Sequence, residues 1–498
     1  MARMNRRRFL GTTAAAAAAV TVVPRHVLGG PGYVAPSDQI TAACIGVGSQ
    51  GTRVMMDFLK QSQIRIVSVC DVNRGSDDYI QWGDNEIRDK VRELIKNPAY
   101  GASIKGCRCG MLPAKEIVEA YYALQKESGI YSGCRAYEDF RELLDKEQDV
   151  DAVIIGTADH AHAPVAIHAM RKGKHVFCQK PMTNTVHAAR LMAGISKEMK
   201  VATQVATGNA ASEDTRVLCE WIWAGVIGPV REVHNWSARP FWPQGMDRPA
   251  EKQPVPKYLN WDLWLGPAPF RPYHMVYLPF VWRGWYDFGS SAIGDMGCYS
   301  FDTLFRVLRL DAPAVIDASS TVPYLRQKTS VSPFENKESY PASCMIHFDF
   351  PARGDMPPVA VHWYDGALKP AVPAELGDEA MPEEGMLFVG DDGKILCGFN
   401  GRRPRLIPKS KMDLLAPPPK TLPRSIGHLE EWIEACKGGA PAAANFEFAG
   451  RVTETILAGN VATRLGKKIQ WDGQNLQVPG VPEADAIIHP PAREGWEF

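Results

Sequence analysis

Residues 39–71 read QITAACIGVGSQGTRVMMDFLKQSQIRIVSVCD, and the order of the pieces decides the fold. The apolar run ending at Ile45 predicts a buried strand, GVGSQG supplies Gly46, Gly48 and Gly51, and VMMDFL continues as a helix. IRIVSVC then predicts a second strand ending in Asp71. In such a unit Gly46 allows the tight turn, Gly48 lets backbone approach a pyrophosphate, and Gly51 brings helix and strand close together. The free amides of the helix start, at Ser49 and Gln50, would hold the phosphates. Asp71 stands 20 residues beyond Gly51, where a carboxylate accepts hydrogen bonds from ribose hydroxyls and repels a 2′-phosphate. That favours NAD over NADP, and Arg74 pulls the other way, because a guanidinium beside the ribose pairs with that phosphate.

Outward from this unit, residues 75–130 form a polar, glycine-bearing insertion expected to lie outside the sheet, with AKEIVEAYYALQKE as a helix inside it. The strand-helix alternation then resumes through YEDFRELLDKEQ, DAVIIGT, PVAIHAMRKG and HVFCQKP. This is a doubly wound α/β pattern, whose ligand sits outside the carboxyl ends of the strands, so TADHAH (157–162) and CQKP (178–181) point toward it. From about residue 229 strand-like runs replace the alternation: VREVHNWSAR, SCMIHFDF, VAVHWYDG, and MLFVG and ILCGF around a DDGK turn. The expected organisation is a Rossmann domain over 38–207, a mainly antiparallel α+β domain over 208–475, and an extended tail over 476–498. The tail is proline-rich, and either packs along a surface or partner subunit or stays disordered.

Composition excludes several classes. The 498 residues are 45% apolar and 22% charged with a formal charge of +0, as in an ordinary globule of more than one domain. Residues 1–30 hold five arginines and no acid, so the rest is mildly acidic and offers no electrostatic footprint for nucleic acid. Within that stretch Arg6-Arg7-Arg8-Phe9-Leu10 and the following alanine run resemble a twin-arginine signal, read by a translocase that exports folded proteins. An ordinary secretion signal or an uncleaved anchor is the alternative. The 11 cysteines are too scattered for a disulfide framework. Cys107 and Cys109 read as loop residues, with no second Cys or His pair nearby at zinc spacing, so no metal is assigned.

GVGSQG with Asp71, TADHAH, CQKP, WLGPAP, WRGWYDFG and GDMGCYSFD together resemble the Gfo/Idh/MocA oxidoreductases from about residue 38 to the C-terminus. The resemblance implies a Rossmann domain followed by an open-faced sheet used for substrate binding and for homo-oligomer (dimer or tetramer) contacts. It implies NAD chemistry on a CH–OH group of a sugar, sugar derivative or polyol. Thr157, His162, Gln179, Lys180 and Pro181 would lie against the cofactor. Lys180 matches the lysine of the family's EKP motif and becomes the candidate base, with Gln179 in place of the usual acid. That loss predicts a Lys180 pKa lower than in EKP relatives. Asp295, Tyr299 and Asp302 are spaced to share one helix face, and Tyr299 stands where relatives carry a histidine, so it orients substrate rather than taking its proton. His160, Arg283, Trp285 and Tyr286 are the substrate-contact candidates. Asp159 orients a neighbouring histidine, His274 has no clear role, and Trp242 and Trp261 are expected to pack the loop. GNAAS (208–212) also lacks a histidine common in relatives. Two further readings stay open: an NAD-dependent glycosidase or lyase working through transient oxidation, and a non-catalytic carbohydrate-binding relative.

Overall fold

The computed structural model describes residues 38–498 except 105 and 335, so the twin-arginine stretch lies outside the described residues. The first unit runs β1 (Ile40–Ile45), α1 (Ser49–Leu59), β2 (Ile64–Cys70), β3 (Ser76–Tyr79), α2 (Glu86–Leu94), β4 (Cys107–Cys109) and α3 (Met111–Ala123). It continues through β5 (Arg135–Tyr137), α4 (Phe140–Lys146), β6 (Ala152–Ile155), α5 (Asp159–Arg171), β7 (His175–Cys178), α6 (Val186–Met199) and β8 (Thr203–Val205). Six of the strands form one parallel sheet in the order β5-β2-β1-β6-β7-β8. That is the doubly wound order in which the chain reverses direction at β1 and opens a crevice between β1 and β6. β1 and β6 are apolar almost throughout because helices cover both faces of the sheet.

The insertion stays outside this sheet, as expected, but it is ordered: β3 and β4 pair as a small antiparallel ribbon. Cys107 and Cys109 therefore lie in a short strand and not in a loop.

The second unit comprises α7 (Glu213–Trp223), β9 (Val230–Trp236), α8 (Trp261–Leu265), α9 (Cys298–Val307), β10 (Val315–Ser320), β11 (Tyr324–Gln327), β12 (Ser330–Pro333), β13 (Cys344–Phe350) and β14 (Val359–Tyr364). It closes with β15 (Gly385–Gly390), β16 (Lys394–Cys397), β17 (Arg405–Ile407), α10 (Lys409–Asp413), α11 (His428–Cys436), α12 (Phe446–Leu465), β18 (Ile469–Gln470) and α13 (Asp485–Ile488). Its eight-stranded sheet has the order β17-β16-β15-β9-β14-β13-β10-β18 and is antiparallel except where β14 runs parallel to β9.

Alternation sets the two faces of this sheet. In β13, Cys344, Ile346, Phe348 and Phe350 point into the core while Met345, His347 and Asp349 point outward. The inner face packs on α9 and α12, with Phe301 edge-on to Phe348 at 5.3 Å. The tail packs along its own chain. Val478, Ala484 and Ile488 join the core under this sheet, and Trp496 returns to the Rossmann unit beneath Arg141, 4.4 Å from its ring. Among the described residues no helix is long and apolar enough to cross a membrane.

Candidate functional site

The carboxyl ends of the parallel strands and the loops of the second unit enclose one cleft of about 560 Å³, within the usual range for a ligand pocket. Its nucleotide half follows from the glycine loop. Gly46 has φ +81°, and a Cβ there would stand 2.4 Å from the Thr157 amide nitrogen. A Cβ on Gly51 would stand 1.9 Å from the Gly46 carbonyl oxygen, so only glycine lets α1 begin this close to the turn. Gly46, Gly48, Ser49 and Gln50 line the cleft.

Asp71 closes β2 and is buried. Its Oδ2 accepts from the Val47 amide at 2.7 Å and its Oδ1 from the Asn73 amide at 2.8 Å, tying the glycine loop to the loop after β2. Burial pushes its pKa up to about 6, against the pull of those two amides. Arg74 does not face the cleft. It is exposed and ion-paired with Glu138, which corrects its assignment as a cofactor contact.

The opposite wall carries a charged cluster built by both units. Lys180, just beyond β7, donates from Nζ to the Asp295 carboxylate Oδ1 at 2.8 Å and to the Asp295 carbonyl at 2.9 Å. Arg283 Nε donates to the same Oδ1 at 3.0 Å. All three side chains are less than one-fifth exposed. Burial alone would raise the Asp295 pKa, but the adjacent ammonium and guanidinium outweigh it and hold the carboxyl well below the usual range. Burial alone would lower Lys180; Asp295 outweighs it, and the ammonium is held above its ordinary value. Asp295, across the cleft, thus holds Lys180 as an ammonium.

Asp295 lies in a wide π-type turn, Ile293–Gly297, that precedes α9. This turn breaks the even helical spacing read from the sequence. Tyr299 still reaches the cluster, its ring centroid 4.9 Å from Lys180 Nζ. Asp302 turns away, accepting from Arg306 at 2.9 Å and from the Thr207 hydroxyl at 3.1 Å.

The TADHAH residues divide. Thr157 lines the cleft. His162 does not: its Nδ1 faces the Pro181 carbonyl at 2.7 Å and its Nε2 the Thr157 carbonyl at 3.2 Å, so it braces the two loops from behind. Pro181 is likewise behind the lining, and Gln179 is on it. His160 touches the cleft wall, but its ring nitrogens face the Trp264 carbonyl at 2.8 Å and the Phe288 carbonyl at 3.3 Å, leaving none for substrate. Burial lowers both histidines to a pKa of about 4, against the opposing pull of the carbonyls that each ring faces. Asp159 does not orient either ring. It opens α5, lines the cleft and accepts from the Ser290 hydroxyl at 2.7 Å. Burial lifts its pKa to about 7, moderated by Arg283 and the serine.

Two proposed substrate contacts prove to be packing. Trp285 is 1% exposed, inside an aromatic cluster with Trp261, Tyr277 and Phe288, and its indole N–H donates to the Val276 carbonyl at 3.1 Å. Tyr286 packs edge-on against Tyr340 at 4.7 Å and beneath Arg464. Trp261 packs as expected, whereas Trp242 lines the cleft. Sequence reasoning missed Asn209 of GNAAS, Trp496 of the tail, and Tyr79, Ile80 and Trp82 of the insertion, all of them lining residues. Trp82 meets Phe280 edge-on at 5.8 Å, so insertion and second unit close one rim together.

Strand order, glycine loop and the acid after β2, completed by a second α/β unit, define a two-domain dinucleotide-binding protein. The family profile described as "Oxidoreductase family, NAD-binding Rossmann fold" matches residues 114–207, and its "C-terminal alpha/beta domain" matches 228–348. Over these two stretches the chain is similar to the Gfo/Idh/MocA oxidoreductases.

Among curated relatives, levoglucosan dehydrogenase of Pseudarthrobacter phenanthrenivorans is 29% identical over 26% of this chain and 35% of its own length. A glycosyl hydrolase family 109 protein of Shewanella pealeana is 27% identical over 37% of this chain and 35% of its own length. The match thus spans about a third of each of these relatives. The WlbA dehydrogenase of Bordetella pertussis, solved with NADH and UDP-GlcNAcA, superposes with a TM-score of 0.53 at 14% identity, over 87% of this chain and 99% of that one. That likeness concerns the fold.

Proposed function

We propose that the protein is an exported, NAD-dependent oxidoreductase acting on a CH–OH group of a sugar, sugar derivative or polyol, with its cofactor tightly held. The observation that carries this reading is the Lys180–Asp295–Arg283 cluster, set by two domains into the wall of the cleft that the glycine loop and Asp71 open. The residues present suit the dinucleotide: a turn that a Cβ would fill, and a buried carboxylate with acceptor capacity left over. Bound NAD would supply the hydride acceptor. Asp71 favours NAD, and Arg74, the candidate partner for a 2′-phosphate, is ion-paired with Glu138.

Lys180, held as an ammonium, donates a hydrogen bond to the reacting oxygen and stabilises negative charge developing on it. Toward oxidation the hydroxyl proton needs an acceptor, and Asp159, which feels the charges of Arg283, Asp295 and Lys180 and titrates near 7, is the cleft carboxylate suited to take it. Tyr299 orients the substrate beside Lys180.

Export rests on Arg6-Arg7-Arg8-Phe9-Leu10, and a route for folded proteins suits an enzyme that must carry its nucleotide with it. The likeness to a glycosyl hydrolase family 109 protein favours a second reading, transient oxidation followed by elimination and re-reduction. One preparation tests all of this. Protein from the exported fraction is denatured and its nucleotide identified, and the native protein is given sugars, glycosides and polyols. Net NADH with a free polyol supports the dehydrogenase, and glycoside cleavage without net NADH supports the second reading. An empty protein in the exported fraction defeats the tight-cofactor reading, and a cytoplasmic location defeats export.

A further inference from the structure

The outward face of the second sheet carries a row of side chains that the cleft does not use. Register places His347, His362 and His234 side by side on β13, β14 and β9, with Asp349 and Glu232 one pleat further along. None of them lines the cleft. Asp349 Oδ1 lies 2.6 Å from His347 Nε2, His347 Nδ1 lies 3.1 Å from His362 Nδ1, and His362 Nε2 lies 2.8 Å from Glu232 Oε1. His234 completes the group, its Nε2 3.3 Å from the same Glu232 oxygen and its Nδ1 3.0 Å from the Tyr364 hydroxyl.

Counting hydrogens exposes a deficit. Three contacts run in series from one carboxylate to the other, and each needs one hydrogen. Two neutral imidazoles bring one N–H each. Whichever tautomers are chosen, one contact sets lone pair against lone pair. Either a third proton or a cation must close the row.

We propose that the row binds one divalent cation of the Zn²⁺ class, ligated by Glu232, His234 and His362. The ligand atoms of these three residues all lie within 4.8 Å of one another. Metal–ligand bonds of about 2.0–2.1 Å in a tetrahedron put ligand atoms roughly 3.3 Å apart, and the two carboxylate contacts of 2.8 and 3.3 Å sit near that value.

The cation also resolves the hydrogen count. His362 Nε2 and Glu232 turn lone pairs to the metal, His362 Nδ1–H donates to His347, and His347 Nε2–H donates to Asp349. His234 Nδ1–H donates to Tyr364. Each ligating histidine thereby has the outer hydrogen-bond partner that fixes its tautomer. Three protein ligands leave the fourth position open toward solvent.

The test uses the purified full chain, stripped with chelator and titrated with Co²⁺ and then Zn²⁺. One Co²⁺ per chain is expected, with the visible absorption of a four-coordinate site that Zn²⁺ abolishes. Glu232→Gln and His362→Ala should each weaken binding more than about 100-fold, while Asp349→Asn, which removes an outer partner, should weaken it by about 10–100-fold. His187→Ala, at a histidine stacked on His489 away from the row, should bind like the parent. The near-isosteric Glu232→Gln variant, with unchanged thermal unfolding, carries the test if His362→Ala folds poorly. Parent-like titration of Glu232→Gln overturns the proposal. So does an imidazolium seen by NMR at pH 7 together with no Co²⁺ uptake, because a proton would then close the row.

Discussion

Replacing Asp295 with Asn should make the stability of this protein depend on pH in a window where the parent's charged cluster is indifferent to it. In the parent, the depressed Asp295 carboxyl contributes stability that is present above its unfolded pKa of about 3.9 and is lost only as pH falls through its lower folded value. The raised Lys180 contributes stability present below its unfolded pKa of about 10.4 and lost only as pH rises through its higher folded value. Between about pH 5 and 10 both contributions are therefore constant.

In Asp295→Asn the shared acceptor of Lys180 and Arg283 loses its charge, while burial and the guanidinium continue to oppose the ammonium. Breaking a buried ion pair from one side costs about 3–5 kcal/mol at neutral pH. The Lys180 pKa then falls below its unfolded value, and each unit of depression returns about 1.4 kcal/mol as the lysine deprotonates. A depression of about two units would shrink the deficit by roughly 2 kcal/mol between pH 7 and 10. Urea unfolding followed by tryptophan fluorescence at pH 7, 8, 9 and 10 measures it, and adding Lys180→Met should abolish the pH dependence. An Asp295→Asn deficit that is the same at pH 7 and pH 10 refutes the reasoning.

Other perturbations separate the parts of the cleft. Asp71, with a pKa of about 6 in the free protein, binds ribose hydroxyls best when ionised, so NAD affinity should fall about tenfold from pH 7 to 5 and stay flat in Asp71→Asn by calorimetry. Gly51→Ala puts a Cβ 1.9 Å from a backbone oxygen; NAD affinity should drop at least about tenfold, with a stability loss of about 1–3 kcal/mol in denaturant. Trp285→Ala should cost about 3–5 kcal/mol of stability and leave the ligand affinities of the surviving folded protein nearly unchanged. Trp82→Ala, at a side chain 62% exposed, should do the reverse, leaving unfolding alone while weakening cleft ligands several-fold.

The contrast between Trp285 and Trp82 shows what a linear sequence reveals about such a site. The glycine loop and Asp71 were legible because their chemistry is local: turn, helix start and strand end fall within one unit, and backbone geometry forces the residue types. The outward and inward positions of β13 and β14 were legible for the same reason, since alternation is read two residues at a time. Trp285 and Trp242 are identical side chains in one aromatic-rich stretch, and only the third dimension decides that the first fills a core while the second faces the cleft. The ion pair that sets the charge of Lys180 was not legible, because its partner Asp295, 115 residues away, had no readable distance. The three histidines were invisible as a group. They are separated by 15 and 113 positions, metal-ligand spacing rules apply to single turns and helices, and strand register across β9, β14 and β13 is what sets them side by side. The parallel pairing of β14 with β9 is the step that composition and alternation leave open, and on it depends whether His362 meets His234 and Glu232 or faces another strand.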